Sequence, residues 1–245
     1  MSGGYPIVQS KSPGASLAVA LAGGELPLSS FRDFYAFEQH VKTARARRGL
    51  DMVPQWYQFP VFYFSNARAF ISDGAPLVRP RNGEWLDYEL EVAAVIGVGG
   101  RDITPEAAHR HILGLTVLND WSLRDIQREE VKVRLGPAKG KDFASSIGPV
   151  VVPLDQLTDR SGDTLFDLTM TASVNGVVLS RGNLKDMYYS YAQMVAHASR
   201  DAALYPGDVI GSGTVGTGCL LELGADQVAD ALGRSETWLR QGDVV

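Results

Sequence analysis

Between Leu86 and Ile96 the chain sets two glutamates into a segment otherwise made for burial: Leu86-Asp87-Tyr88-Glu89-Leu90-Glu91-Val92 runs on into Ala93-Ala94-Val95-Ile96. The apolar continuation predicts a strand over residues 86–98, and residues two apart on a strand share a face. Glu89 and Glu91 would then stand side by side on a half-buried surface. Two anions about 6 Å apart repel by roughly 3 kcal/mol at an effective dielectric of 20. Desolvation adds to that cost. A cation must offset it, or one carboxyl must stay protonated. A third acid, Asp120, falls at the end of a second predicted strand, Gly114 to Asn119. An all-oxygen set of this kind favours a hard divalent ion, Mg²⁺ or Ca²⁺. The competing reading is a solvated strand face, the commoner explanation for such a pair alone. The apolar continuation and Asp120 bring the two readings level.

The remaining composition excludes more than it selects. A chain of 245 residues can bury a substantial core as one large domain or two small ones. Its net charge of −5 gives no reason to expect nucleic acid or an anionic membrane surface. The single cysteine, Cys219, allows no internal disulfide and fits a reducing compartment. The one signal-like stretch, Ser16 to Ala22, starts late and is short, so it reads as an element edge. No apolar run is long enough to span a bilayer. The expected location is cytoplasmic.

Along the chain, residues 1–28 are rich in Gly, Ser, Pro and Ala and read as an arm. A helix is expected after Ser29-Ser30, with Asp33 in its first turn and Phe34, Phe37 and Val41 on one face. It should end in the basic run Arg45, Arg47, Arg48 before Gly49. Phe59 to Phe64 reads as extended. Thr104-Pro105-Glu106 opens a helix, Ser122 another, and Gly136 to Lys141 is a glycine-rich loop. Strands are expected over Ile147–Pro153, Phe166–Val174, Asp208–Ile210 and Cys219–Leu223, with a helix over Leu184–Ser199. Asn175-Gly176 is a hairpin signal. Many strands, few short helices and no strand–helix–strand rhythm predict one β-rich α+β domain.

Gly211 to Gly216 has the G-x-G-x-x-G spacing, but a strand-like segment follows it where a dinucleotide site needs a helix. It reads as a tight loop bringing Thr214 close to something. No nucleotide P-loop, zinc spacing or G-x-S-x-G is present. His109, His111 and His197 read as surface or satisfied residues. Lys141 alone is a surface lysine or a cation held beside an anionic substrate.

Several stretches, taken in order, resemble the fumarylacetoacetate hydrolase family. They are Asp33-Phe34-Tyr35 with His40, Phe59-Pro60-Val61-Phe62-Tyr63, Tyr88-Glu89-Leu90-Glu91, and Asn119-Asp120-Trp121-Ser122-Leu123-Arg124-Asp125-Ile126-Gln127. Further on come Leu135-Gly136-Pro137 with Gly140-Lys141-Asp142-Phe143, and Gly211-Ser212-Gly213-Thr214 with Leu221-Glu222-Leu223. The resemblance implies a mixed β-sandwich roll with short helices over residues 29–245, of the family's C-terminal catalytic type, and a homodimer. It implies Asp33, Glu89, Glu91 and Asp120 as ligands of Mg²⁺ or Ca²⁺, and His40 as a general base oriented by Glu222. Gln127 and Lys141 would stabilise an oxyanion. Tyr63, Thr214, Tyr35 and one arginine of the 45–48 cluster, taken as Arg47, would hold a small diketo or 2-oxo acid.

The reaction so implied is hydrolysis of a C–C bond in a 1,3-diketo acid, through His-activated water and a metal-stabilised enolate. The alternatives are a decarboxylase or an enol–keto isomerase of small 2-oxo acids, and an inactive structural paralogue. Relatives generally continue for another strand where this sequence stops at Val245, and the separate N-terminal domain of the full-length hydrolase is not in it.

Overall fold

The computed structural model describes residues 3–9, 16–157 and 166–245. Among them the largest sheet has seven strands, in the order Phe62–Ser65, Ser30–Phe34, Asp208–Gly211, Leu90–Ile96, Ile112–Asp120, Ser145–Ile147 and Phe70–Ser72. Two of its pairings are parallel, Asp208–Gly211 with Ser30–Phe34 and Ser145–Ile147 with Phe70–Ser72. The rest are antiparallel. This is the expected mixed, sheet-rich α+β roll.

Alternation along the central strand sorts the core into two layers. Ala93 and Val95 face a small antiparallel sheet of Val150–Val151, Tyr5–Val8, Ala18–Leu21 and Gly24–Pro27, packing with Ile7, Val19, Phe31, Leu118 and Val209. Val92, Ala94 and Ile96 face the other way, toward helix α1 (Glu38–Ala46) and, following helix α2 (Arg124–Glu130) in the chain, helix α3 (Tyr191–Ser199), through Phe37, Val41, Met194 and Val195. Burying a side chain such as Phe31 or Ile96 stabilises the fold by about 1.5–3 kcal/mol. A third cluster joins Leu86, Tyr88 and Trp121 to the short helix α4 (Leu220–Leu223) and helix α5 (Ala225–Leu232).

Several local expectations hold. The basic run does close α1, with Gly49 at φ 69°. Asn175 and Gly176 turn a hairpin between Thr169–Val174 and Val177–Asn183, both with positive φ as a tight two-residue turn requires.

Others are corrected. The helix expected after Ser30 is a strand over Ser30–Phe34, and α1 begins only at Glu38. Parallel pairing with Asp208–Gly211 supplies the ladder that local periodicity does not show. The strand expected over Cys219–Leu223 is helix α4, whose first amides Leu220 and Leu221 donate to the buried Asp87 carboxylate. The predicted 86–98 strand is broken into Leu86–Asp87 and Leu90–Ile96, so Glu89 sits in the gap. The described residues of 1–28, read as an arm, include the strands Tyr5–Val8, Ala18–Leu21 and Gly24–Pro27, because Leu17, Val19 and Leu28 are buried against the main sheet. The helix expected over Leu184–Ser199 shortens to a 3-10 turn and α3, which starts at the capping box of Ser190 and Gln193. Of the strand expected over Phe166–Val174, Thr169–Val174 forms.

Candidate active site

Strand parity brings the acids together. Asp33 lies two residues beyond Phe31, Glu91 two before Ala93, and Asp120 two beyond Leu118, and those three apolar residues share one face of the sheet. The carboxylates therefore project from that face where the apolar layer ends. Gly211, paired with Asp33, leaves the room: a Cβ there would stand 2.3 Å from Asp33 Oδ1. Glu89 joins from the strand break, its amide donating to Asn119 Oδ1 at 3.0 Å.

Ligand-type oxygens of Asp33, Glu89 and Glu91 all lie within 4.8 Å of one another. Asp120 stands beside this group rather than in it. Its Oδ2 accepts from Tyr63 and from Lys141 Nζ (2.8 Å), and its Oδ1 from Ser145 (2.9 Å). Lys141 also pairs with Glu89, which meets Arg124 Nη2 at 2.7 Å on its other oxygen. All four carboxylates are buried.

The charges settle unevenly. Burial, then Asp120, pushes the Asp33 carboxyl well above its usual range. Burial, then Asp33 and Glu89, does the same to Glu91. At Glu89 burial also acts upward, but Lys141 and Arg124 outweigh it and hold the carboxyl below its usual range. Burial opposes the Lys141 charge, yet Asp120 and Glu89 raise its pKa.

A divalent cation fits this donor set. Among the described residues, Asp33 Oδ1 and Glu91 Oε2 are buried without a hydrogen-bond partner, which is costly unless something else binds them. Hard oxygen donors suit a hard ion.

Beside the acids, His40 of α1 meets Glu222 of α4, Nδ1 to Oε2 at 2.7 Å, both buried. Glu89 lies close enough to His40 to interact with it electrostatically. Tyr35 sets its ring edge-on to His40, centroids 5.4 Å apart, and burial first of all raises its hydroxyl to about 12. Burial, then Asp120, raises the Tyr63 hydroxyl.

Other expected residues are placed with partners. Thr214 donates to Glu91 Oε1 at 3.3 Å, Gln127 accepts from Arg124 Nη1 at 2.9 Å, and Arg47 donates to the Glu222 carbonyl at 3.1 Å, bracing the end of α4. His111 Nδ1 lies 2.9 Å from the Val98 carbonyl oxygen and His197 stacks on Phe59, away from the acids.

Two residues escaped the sequence reading. Asp87 binds the first amides of α4 at 2.8 and 3.1 Å and Arg124 Nε at 2.8 Å. Arg124 in turn reaches Glu89 and Gln127. This pair ties the acid cluster to the helix that carries Glu222. The signal was present: Asp87, Glu89 and Glu91 alternate, and a third acid in that series needs a cation of its own.

A cleft of about 310 Å³ is lined by Tyr63, Phe64, Asn66, Pro137, Lys141 and Asp142, of which Tyr63 and Lys141 bond to Asp120. A larger one of about 960 Å³, near His109, Phe166 and Tyr188, contains none of these residues.

The family model described as "Fumarylacetoacetate (FAA) hydrolase C-terminal" matches residues 29–245. Fumarylacetoacetase of Mus musculus is 32% identical over 271 residues, covering 89% of this chain and 64% of that protein. The enzyme of Arabidopsis thaliana is 30% identical with the same coverage. The chain thus spans about 64% of the length of these curated relatives. Among solved structures, fumarylpyruvate hydrolase from Pseudomonas aeruginosa, in complex with Mn²⁺ and pyruvate, superposes with a TM-score of 0.66 at 27% identity. That match covers 86% of this chain and 89% of the other. A protein described as a probable 2-hydroxyhepta-2,4-diene-1,7-dioate isomerase from Mycobacterium abscessus gives 0.64 at 25% identity, covering 88% and 69%.

Proposed function

The chain belongs to the fumarylacetoacetate hydrolase family, and on that premise we propose that it hydrolyses a carbon–carbon bond in a 1,3-diketo acid of the fumarylacetoacetate or acylpyruvate type. The observation that carries the reading is the buried His40–Glu222 pair at 2.7 Å, set beside converging carboxylates. Hydrolysis needs an activated water, and this pair is built to activate one.

Glu222 accepts a hydrogen bond from the Nδ1–H of His40, which keeps that tautomer and leaves Nε2 unprotonated and oriented as a base. His40 takes a proton from water as the oxygen adds to the carbonyl carbon beside the bond to be broken. Lys141 and Gln127 face the resulting oxyanion. When that carbonyl re-forms, the C–C bond breaks and its electron pair passes to the neighbouring carbon as an enolate. His40 returns the proton to that carbon. The products are a carboxylic acid and a 2-oxo acid. Tyr35, Tyr63, Thr214 and Arg47 border the substrate.

Asp33, Glu89 and Glu91, with Asp120 adjoining, would hold Mg²⁺ or Ca²⁺, and the bound ion supplies Lewis-acid stabilisation of negative charge on oxygen. Support comes from the orphaned oxygens of Asp33 and Glu91 and from the Mn²⁺ in the Pseudomonas relative.

We also propose a cytoplasmic homodimer with no nucleic-acid or membrane partner. The edge strand Phe62–Ser65 leaves Phe64 66% exposed, a surface suited to a second copy. Among the described residues no helix is long and apolar enough to cross a membrane.

The second reading is an enol–keto isomerase, favoured by the relative described as an isomerase. Turnover of acylpyruvates in ¹⁸O-water separates the two: hydrolysis puts label into the carboxylic acid product. Tautomer exchange with no cleavage of any acylpyruvate would overturn the hydrolase reading.

A further inference from the structure

Beside the oxygen-only cluster lies a second group of ligand atoms with different chemistry. A nitrogen of His40, the sulfur of Cys219 and an oxygen of Glu222 all lie within 4.8 Å of one another, and all three residues are at least nine-tenths buried. Cys219 Sγ is 3.7 Å from Glu222 Oε2, and His40 Nδ1 is 2.7 Å from the same oxygen. Among the described residues the other carboxylate oxygen, Glu222 Oε1, is buried with no partner. The carboxylate thus has acceptor capacity that the hydrogen bonds leave unfilled, while Oε2 is the oxygen that both other donors already face.

From this grouping we infer a second cation site, made of His40, Cys219 and Glu222, that takes a thiophilic divalent ion such as Zn²⁺ or Cd²⁺ and blocks the base. Nitrogen, sulfur and carboxylate are the usual donors of Zn²⁺, at about 2.0–2.3 Å, which sets tetrahedral ligand atoms roughly 3.3–3.7 Å apart. The sulfur–oxygen separation is already in that range. The His40–Glu222 contact must lengthen by less than an ångström. Soft thiolate selects against Mg²⁺ and Ca²⁺, so the two sites sort ions by donor type. Binding releases the thiol proton to solvent. It also uses the bond by which Glu222 orients His40, so the loaded protein has no oriented base. That consequence rests on the proposed hydrolysis, but the site itself rests on side-chain geometry alone.

The test uses Cd²⁺ and the Mg²⁺-saturated protein. Cd²⁺ bound to thiolate gives an ultraviolet charge-transfer band, read as difference absorbance on the short-wavelength side of the aromatic bands, whereas carboxylate-bound Cd²⁺ is silent there. Because the chain has one cysteine, any such band reports Cys219. The expected result is one thiolate band per chain, persisting under excess Mg²⁺ and removed by a chelator. Cys219→Ser should abolish it, and Glu222→Gln should weaken Cd²⁺ binding at least tenfold while the thiol remains. No band in the wild-type protein would overturn the inference. So would a band of unchanged affinity in Glu222→Gln, since the cysteine would then bind without the other two residues. The Glu222→Gln arm decides the question even if Cys219→Ser fails to fold. The band is read without substrate, so its absence counts against this site, while failure to cleave diketo acids counts against the proposed reaction alone.

Discussion

Glu91→Gln separates a ligand from a structural acid. With oxygens no more than 4.8 Å apart, each ionised pair among Asp33, Glu89 and Glu91 repels by about 3.5 kcal/mol or more at an effective dielectric of 20. Without a cation the cluster avoids that by keeping protons on Asp33 and Glu91, whose carboxyls are pushed upward. Gln is close in shape to a protonated Glu and retains an oxygen to accept from Thr214. The metal-free variant should therefore unfold within roughly 0.5 kcal/mol of the wild type, the usual range for a substitution that removes no interaction.

The cation-loaded states should differ. Changes to groups that only orient ligands cost about 10- to 100-fold in metal affinity, so loss of a charged ligand is set at about 100-fold. At a Mg²⁺ concentration of about 100 times the wild-type Kd, binding stabilises the wild type by about 2.7 kcal/mol and the variant by about 0.4 kcal/mol. For a chain of this length 1 kcal/mol corresponds to about 2–4 °C in Tm. Thermal unfolding should show a Mg²⁺-induced rise of roughly 5–11 °C in the wild type and about 1–2 °C in the variant. An undiminished shift in the variant would refute the ligand assignment, and a large loss of stability without Mg²⁺ would refute the protonated state.

His40→Ala should abolish acylpyruvate turnover while leaving Mg²⁺ affinity, read by calorimetry, within about twofold, since the histidine is not among the oxygen donors; unaltered turnover would exclude His40 as the base. The metal-free protein should lose stability as pH rises above the unfolded values of 3.8 for Asp33 and 4.5 for Glu91, because the folded state holds those protons longer. Glu89 acts oppositely, its contribution being lost as pH falls below 4.5. Mg²⁺-induced stabilisation should accordingly grow from pH 5 to pH 8 in thermal scans, and a flat response would contradict the raised carboxyls. Asp87→Asn removes one of the two carboxylates that face Arg124 and one of the two acceptors of the α4 amides, and should cost about 1–3 kcal/mol in a denaturant titration; a loss within about 0.5 kcal/mol of zero, the usual range of a substitution that removes no interaction, would show that Asp87 does not hold α4 to Arg124.

What could be read from the sequence was what chemistry makes expensive. Acids inside an apolar run demand compensation wherever they occur, so Glu89, Glu91 and Asp120 announced themselves before any pairing was known. The local errors have a common origin. Ser30–Phe34 is too short to betray its period, and its ladder comes from Asp208–Gly211 at the far end of the chain. Leu220–Leu223 is apolar enough for strand or helix, and it is Asp87 that caps it into a helix. Asp87 and Arg124 lie within the acidic strand and the Asn119–Gln127 stretch, but neither has a recognisable role until the chain brings Leu220 and Glu89 to either side of them.

Charge balance explains why the cluster asks for one divalent ion. Asp33, Glu89, Glu91 and Asp120 are opposed by Lys141, which touches two of them, and by Arg124, which touches one. Arg124 also faces Asp87, but that carboxylate has two helix amides of its own. Five carboxylates, Asp87 included, against two cations leave a formal charge of −3; with one of these charges held by the helix amides at Asp87, −2 remains on the four-acid cluster. Two protons satisfy it, on Asp33 and Glu91, and so does one divalent cation. A monovalent ion would leave one buried charge uncompensated, at a cost of several kcal/mol. The same donors that would bind the ion are those that carry protons without it. Metal binding should therefore release up to two protons from this cluster, and calorimetry in buffers of different ionisation enthalpy would count them; a count of zero at pH 6 would mean that Asp33 and Glu91 are already ionised in the metal-free protein.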